Sequence, residues 1–223
     1  VGSLAGAGTV DLTNGTLVFG GDNSSQLFSG TLSDGGSASS GSVVKFGNGS
    51  IVLSNAANTF VGNLAVAKGT VVLLGANSAG TGTIYVGGDS NVGGGTILVS
   101  SPNSGFGGFG LNAATTVSRN MTLSGAGTAG IPQSYGSQAT SQTMFLPQGA
   151  LSGLGNVTVS GTVTLPGVTN TRVISDFGTL TLSGPVTLGS AASAYFGASS
   201  GNSVQPNNIV VTGQMTGGAN ANI

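Results

Sequence analysis

One phrase recurs along this chain of 223 residues: a Gly, then Thr or Ser, then apolar residues at alternate positions. It reads Gly8-Thr9-Val10, Gly15-Thr16-Leu17, Gly49-Ser50-Ile51, Gly69-Thr70-Val71, Gly82-Thr83-Ile84, Gly95-Thr96-Ile97, Gly161-Thr162-Val163 and Gly178-Thr179-Leu180. A second apolar residue usually follows two positions on, as in Leu17 and Phe19, Ile51 and Leu53, or Val163 and Leu165. Period-two alternation over about five residues, bracketed by Gly or Asn, marks a strand with one buried face. The same pattern predicts strands over 64–66, 157–159, 186–188 and 209–211.

Composition removes the alternatives. The 43 Gly, 30 Ser, 25 Thr and 18 Asn are 116 residues, just over half the chain. Gly is a poor helix former, and Ser, Thr and Asn compete with the helix backbone for hydrogen bonds, so helices are excluded as the main element. Disorder driven by charge is excluded too, because the net charge is -1 and 38% of residues are apolar. Collagen needs Gly at every third position, and here Gly is aperiodic. The fold class expected is all-β.

Many short strands can build a sandwich, a barrel or a solenoid. Only Asn14-Gly15 and Asn48-Gly49 offer the two-residue turns that hairpins favour. Near-identical phrases at loosely regular intervals point instead to stacked coils, each burying its apolar face against its neighbours. Coils of roughly 20 to 25 residues give about nine to eleven rungs. At about 4.8 Å per rung the rod is on the order of 50 Å long. A single domain over 1–223 is expected, with 101–148, which holds three of the six Pro, as a possible loop or irregular insertion. Phe19, Phe46, Phe60 and Phe196 are expected to stack inside the rod at successive rungs.

Tools for catalysis are scarce. The chain has no Cys, His or Glu, which removes thiol nucleophiles, the usual general bases and most transition-metal ligands. Asp11 and Asp34 lie 23 positions apart, about one coil, so they could stack on one face as glycosidic cleavage would need; solvated turn residues are the simpler reading. Lys45 and Lys68 share the same spacing, which reads as the coil period. The segment 87–93 is similar to a single calcium-binding nonapeptide, but such sites need tandem copies. Two G-x-G-x-x-G strings, at 105–110 and 125–130, neither open a helix nor sit in a βαβ unit and read as turns. Asn-x-Ser/Thr triplets at Asn14, Asn23, Asn48, Asn120 and Asn156 are expected from the composition. No catalytic residue, cofactor or metal is predicted. Four basic residues offer no patch for nucleic acid, and no apolar run is long enough to span a bilayer. Starting at Val1 without a leader, the chain reads as a processed product or a cut-out piece.

Residues 49–74 resemble a known family. Ile51 and Leu53 fill one strand, Asn58-Thr59-Phe60-Val61-Gly62 a corner, Leu64 and Val66 a second strand, and Gly69-Thr70-Val71 with Leu73 a third. This is similar to the autotransporter-associated β-strand repeat of bacterial surface proteins, with Asn55 for the usual Gly and Phe60 for the usual Tyr. The looser segments 4–35 and 151–213 are similar to the rungs that flank such repeats. The resemblance implies a right-handed parallel β-helix with short Gly/Asn-rich turns, secreted or held at a bacterial cell surface. The membrane barrel that ends an autotransporter has no counterpart here. Either this is a piece of a passenger, or the repeat serves another kind of secreted protein.

The function expected is an extracellular structural rod and not an enzyme. Neither terminus shows a polar capping unit, so open strand edges predict head-to-tail association into a filament. The alternative is an adhesin or passenger fragment that binds surface glycans or host proteins through 101–148. A polysaccharide-active enzyme using Asp11 and Asp34 is third.

Overall fold

A computed structural model describes residues 1–35, 40–87, 95–100, 104–105, 108–109, 114–127, 149–167, 170–190, 192–198 and 207–219. Its regular structure is entirely β, with no helix long and apolar enough to cross a membrane among the described residues. Apart from one short antiparallel pair, Ser104–Gly105 with Gly108–Phe109, every strand pairing is parallel. Parallel neighbours cannot be joined by a tight turn, so each strand must pair with its counterpart one coil later. That is the pairing of stacked coils and is consistent with a β-solenoid.

The first sheet has eight strands: Thr16–Phe19, Ser42–Lys45, Leu64–Val66, Ile84–Val86, Met121–Leu123, Val163–Leu165, Val186–Leu188 and Met215–Gly217. One inward ladder runs Leu17, Val43, Leu64, Ile84, Met121, Val163, Val186 and Met215. Its six inner members are buried and its two ends are half-buried. The second sheet takes Gln26–Phe28, Ser50–Leu53, Gly69–Leu73, Gly95–Ser100, Leu151–Leu154, the start of Thr171–Leu182, and Ala194–Ala198. The third side is formed late in the chain by Thr115–Val117, Val157–Val159, the end of Thr171–Leu182, and Asn207–Val211. Early in the chain Thr9–Asp11 pairs with Thr31–Ser33.

The described coils are fewer and longer than the repeat spacing predicts. Eight rungs span roughly 35 Å at about 4.8 Å each. Hydrogen bonds that join adjacent coils link residues 20 apart at Thr83 and Asn63 but 42 apart at Thr162 and Asn120. Within 101–148, Thr115–Val117 and Met121–Leu123 are strands of the stack, while 128–148 lies outside the described residues.

Tight stacking needs corners without side chains. A Cβ on Gly62 would strike the carbonyl of Gly41, one on Gly82 that of Gly62, and one on Gly184 that of Gly161. These glycines stack where the chain enters the first sheet, one strand spacing apart. Their Gly identity follows from close approach of backbone to backbone.

Two expectations about side chains change. The phrase predicts strands with one buried face, and the first sheet obeys. In the second sheet Val52, Val72 and Ile174 are also buried, although they point away from the central core that holds Ile51, Leu53, Val71, Leu73 and Val173. The four Phe do not form a ladder: Phe19 pairs with Lys45, Phe196 with Val173, and Phe46 is 55% exposed. Phe19 and Phe60 are buried.

Candidate functional site

The repeat corner is built by an asparagine. Asn58 is buried, accepts a hydrogen bond from the Leu32 backbone N–H at 2.9 Å, and donates from Nδ2 to the Ser78 carbonyl at 2.8 Å. Leu32 belongs to the coil before and Ser78 to the coil after, so one amide ties three consecutive coils. An amide suits this because it carries both an acceptor and donors. The other residues of the expected corner and core lie with it: Ile51, Leu53, Phe60, Leu64, Val66, Val71 and Leu73 are all buried in the central core, and Gly62 sits in the glycine stack.

Further asparagines repeat the device. The Oδ1 of Asn14 accepts from Ser40 N–H, that of Asn23 from Asn48, that of Asn63 from Thr83, and that of Asn120 from Thr162, at 2.7–3.2 Å. Asn14 and Asn23 hold left-handed backbone at φ 58, a region that Asn tolerates better than most residues. These bonds satisfy backbone donors at corners where the sheet ladder is interrupted. Three of these asparagines head Asn-x-Ser/Thr triplets, which composition alone explains; the structure gives them a physical task. The sequence signal is an Asn one to three residues before the first residue of a strand, as Asn14, Asn23, Asn63 and Asn120 stand before Thr16, Gln26, Leu64 and Met121.

The carboxylates do not assemble. Asp11 pairs in register with Ser33, not with Asp34, and its Oδ1 accepts from its neighbour Thr13. Asp34 is buried and accepts from the Val61 N–H at 2.7 Å. One is exposed and the other internal, so the one-coil spacing does not place both on one face. Asp22 caps its own turn through Ser24, and those bonds hold its carboxyl below the usual range. No group of three His, Cys, Asp or Glu that could hold a metal occurs among the described residues. Residues 88–94, which contain most of the calcium-like segment, lie outside them, as do 106–107, 110 and 128–130 of the two Gly-rich strings.

Besides Asp34, two further ionisable groups are drawn inside at positions that spacing does not reveal. Lys45 belongs to the inward ladder of the first sheet, between Phe19 and Val66, and is 1% exposed. Its Nζ donates to the carbonyls of Phe46 at 2.9 Å, Gly47 at 2.7 Å and Lys68 at 3.4 Å. Three acceptors use all three ammonium donors. Burial lowers its pKa to about 8, with the Asp22 carboxylate opposing that shift. Lys68 meets Lys45 only through its backbone carbonyl, so their equal spacing to the Asp pair marks a corner and not a side-chain ladder. Asp176 sits at a register shift, where Gly153 pairs with Ser175 but Leu154 with Phe177. Its Oδ2 is buried without a hydrogen-bond partner, and burial pushes its carboxyl up to about 7 against the opposing effect of the Ser152 hydroxyl.

Comparison with protein-family models, with curated proteins and with solved structures finds no match for this chain.

Proposed function

We propose that the chain is a right-handed parallel β-helix that serves as a stiff structural rod, secreted or displayed at a bacterial cell surface, in the manner of the autotransporter passengers that 49–74 resemble. No catalytic role is proposed. The observation that carries this reading is the uninterrupted eight-rung ladder with asparagines cross-tying its corners. Such a stack resists local opening because each rung shares its hydrogen bonds with two neighbours. Copies stack head to tail into a filament. In support, Ala194–Ala198, Asn207–Val211 and Met215–Gly217 each have a strand partner on one side only among the described residues, and they offer half-buried Phe196, Ile209, Val211 and Met215 to a next rung. At the opposite end residues 1–6 lie against the first coil. Gly2 accepts from Gly20 N–H, and Gly6 pairs with Phe28.

Sedimentation of dilute protein together with negative-stain electron microscopy tests the proposal. Fibres of constant width and concentration-dependent sedimentation are expected, and a strict monomer without fibres ends the filament part.

A further inference from the structure

The third side of the stack carries a two-dimensional array of hydroxyls. Thr116, Thr158 and Thr181 align in register, with Val210 continuing the column. Two residues on, Ser118, Ser160, Ser183 and Thr212 form a second column, all exposed. Backbone bonds from Ser160 N–H to Val117, Ser183 N–H to Val159 and Thr212 N–H to Leu182 hold it in step. The intervening Val117, Val159 and Leu182 are buried, so both columns point outward. Columns repeat at about 4.8 Å along the stack and lie about 6.6 Å apart across it. Segments 114–118, 156–160, 179–183 and 208–212 contain no charged residue.

We propose that this face binds ice. Hexagonal ice repeats its oxygens at an interval slightly shorter than the first of these and somewhat longer than the second along its two principal directions, so hydroxyls on neighbouring rungs, with threonine side chains taking up the difference, can hold waters near lattice positions. A single hydroxyl–water bond is worth only about 1 kcal/mol net, and binding must come from many acting together. Pre-organisation makes the sum favourable: threonine is stiff at its β-branch, and the strands that carry it are fixed by the ladder. Charged groups, which order water differently from ice, are absent from these segments. Threonine methyls between the hydroxyls supply the apolar patches that favour caged water. The first sheet has one such column, Thr122, Thr164, Thr187 and Thr216, but Asn120, Thr162, Pro185 and Gln214 beside it form no matching second column, so that face is the internal control.

The test freezes a dilute solution slowly onto a cold probe and measures protein in the ice fraction, with growing ice crystals observed in parallel. The parent chain is expected to be enriched in ice and to shape the crystals. Thr158→Tyr combined with Thr181→Tyr should reduce enrichment at least tenfold, whereas Thr164→Tyr on the first sheet should leave it unchanged. If the double variant loses its β circular dichroism, Thr181→Val keeps the shape and removes one hydroxyl, and a smaller loss is expected. Exclusion of the parent from ice overturns the proposal. So does equal enrichment of the folded double variant, or binding of the parent to microcrystalline chitin or cellulose through Thr158 and Thr181 while ice excludes it.

Discussion

The first and second sheets are built from the same phrase and solve opposite problems. Along the first, the outward column runs Val18, Val44, Ala65, Tyr85, Thr122, Thr164, Thr187 and Thr216, all at least partly exposed. In the second, the corresponding Val52, Val72 and Ile174 are buried, whereas Leu27 at the first coil is exposed. A parallel sheet covered on both faces needs continuous apolar runs, and a sheet wet on one face needs alternation. The sequence carries that difference: Ile51-Val52-Leu53 and Val71-Val72-Leu73-Leu74 against Val163-Thr164-Leu165 and Val186-Thr187-Leu188. Each sheet also buries one ionisable group, and these too differ. Lys45 enters a nest of three carbonyls that was waiting for a cation, whereas Asp176 occupies an irregularity that leaves one oxygen unsatisfied.

The same charge placed on both outward faces separates the two sheets most strongly. Val72→Asp buries an unpaired carboxylate and should cost more than about 4 kcal/mol or prevent folding. Thr187→Asp should stay within about 0.5 kcal/mol in denaturant titrations. Equal effects would mean that the second sheet is not covered.

Next in size is the lysine nest. Lys45→Ala leaves a cavity and strands the Phe46 and Gly47 carbonyls, costing about 3 kcal/mol or more, with Lys45→Met recovering part through its volume. Because the folded state holds Lys45 near 8 and the unfolded chain near 10.5, the unfolded state binds more protons between those values. Stability of the parent should therefore rise with pH from about 8 toward 10.5, and the Met variant should lack that rise.

The bulge carboxyl gives a pH effect of opposite sign. Asp176 titrates near 7 when folded and near 3.8 when unfolded, so its contribution to stability is complete below 3.8 and is lost as pH rises through 7. Asp176→Asn should flatten that decline, as melting temperatures across pH 4 to 8 would show. Smallest of all, Thr187→Val exchanges a hydroxyl for a methyl on an exposed strand and should shift stability by no more than about 0.5 kcal/mol.

Strand positions were legible where period two survives: segments at 64–66, 157–159 and 186–188 are strands where alternation predicts them. The core residues of the 49–74 corner were legible for the same reason. Coil length was not, because insertions between rungs leave no periodic trace, as the steps from Ile84 to Met121 and from Met121 to Val163 illustrate. Spacing also misled for Asp11 and Asp34. Coil length drifts between 20 and 26 residues, and here Asp11 pairs with Ser33, so Asp34 falls one residue past its partner and turns to the other face. Lys45 was invisible to a reading that treats charge as surface, although its place in the alternation, two after Val43, puts it inward. The asparagine ties could have been read from their recurrence one to three residues before a strand. Their partners could not, because those are backbone groups one coil away.

The claim on which the rest depends is that successive rungs stack in parallel and in register. The chain has no cysteine, so paired substitutions report on it without background. Thr164 and Thr187 occupy adjacent rungs, and Thr216 lies one rung further on. At about 4.8 Å between neighbouring strands, Thr164→Cys with Thr187→Cys falls within disulfide reach, while Thr164→Cys with Thr216→Cys, at about 9.6 Å, exceeds the limit of about 7 Å. Mild oxidation of dilute protein should give a quantitative intramolecular disulfide in the first pair and none in the second. No disulfide in the first pair, or equal yields in both, would contradict the stacked parallel register.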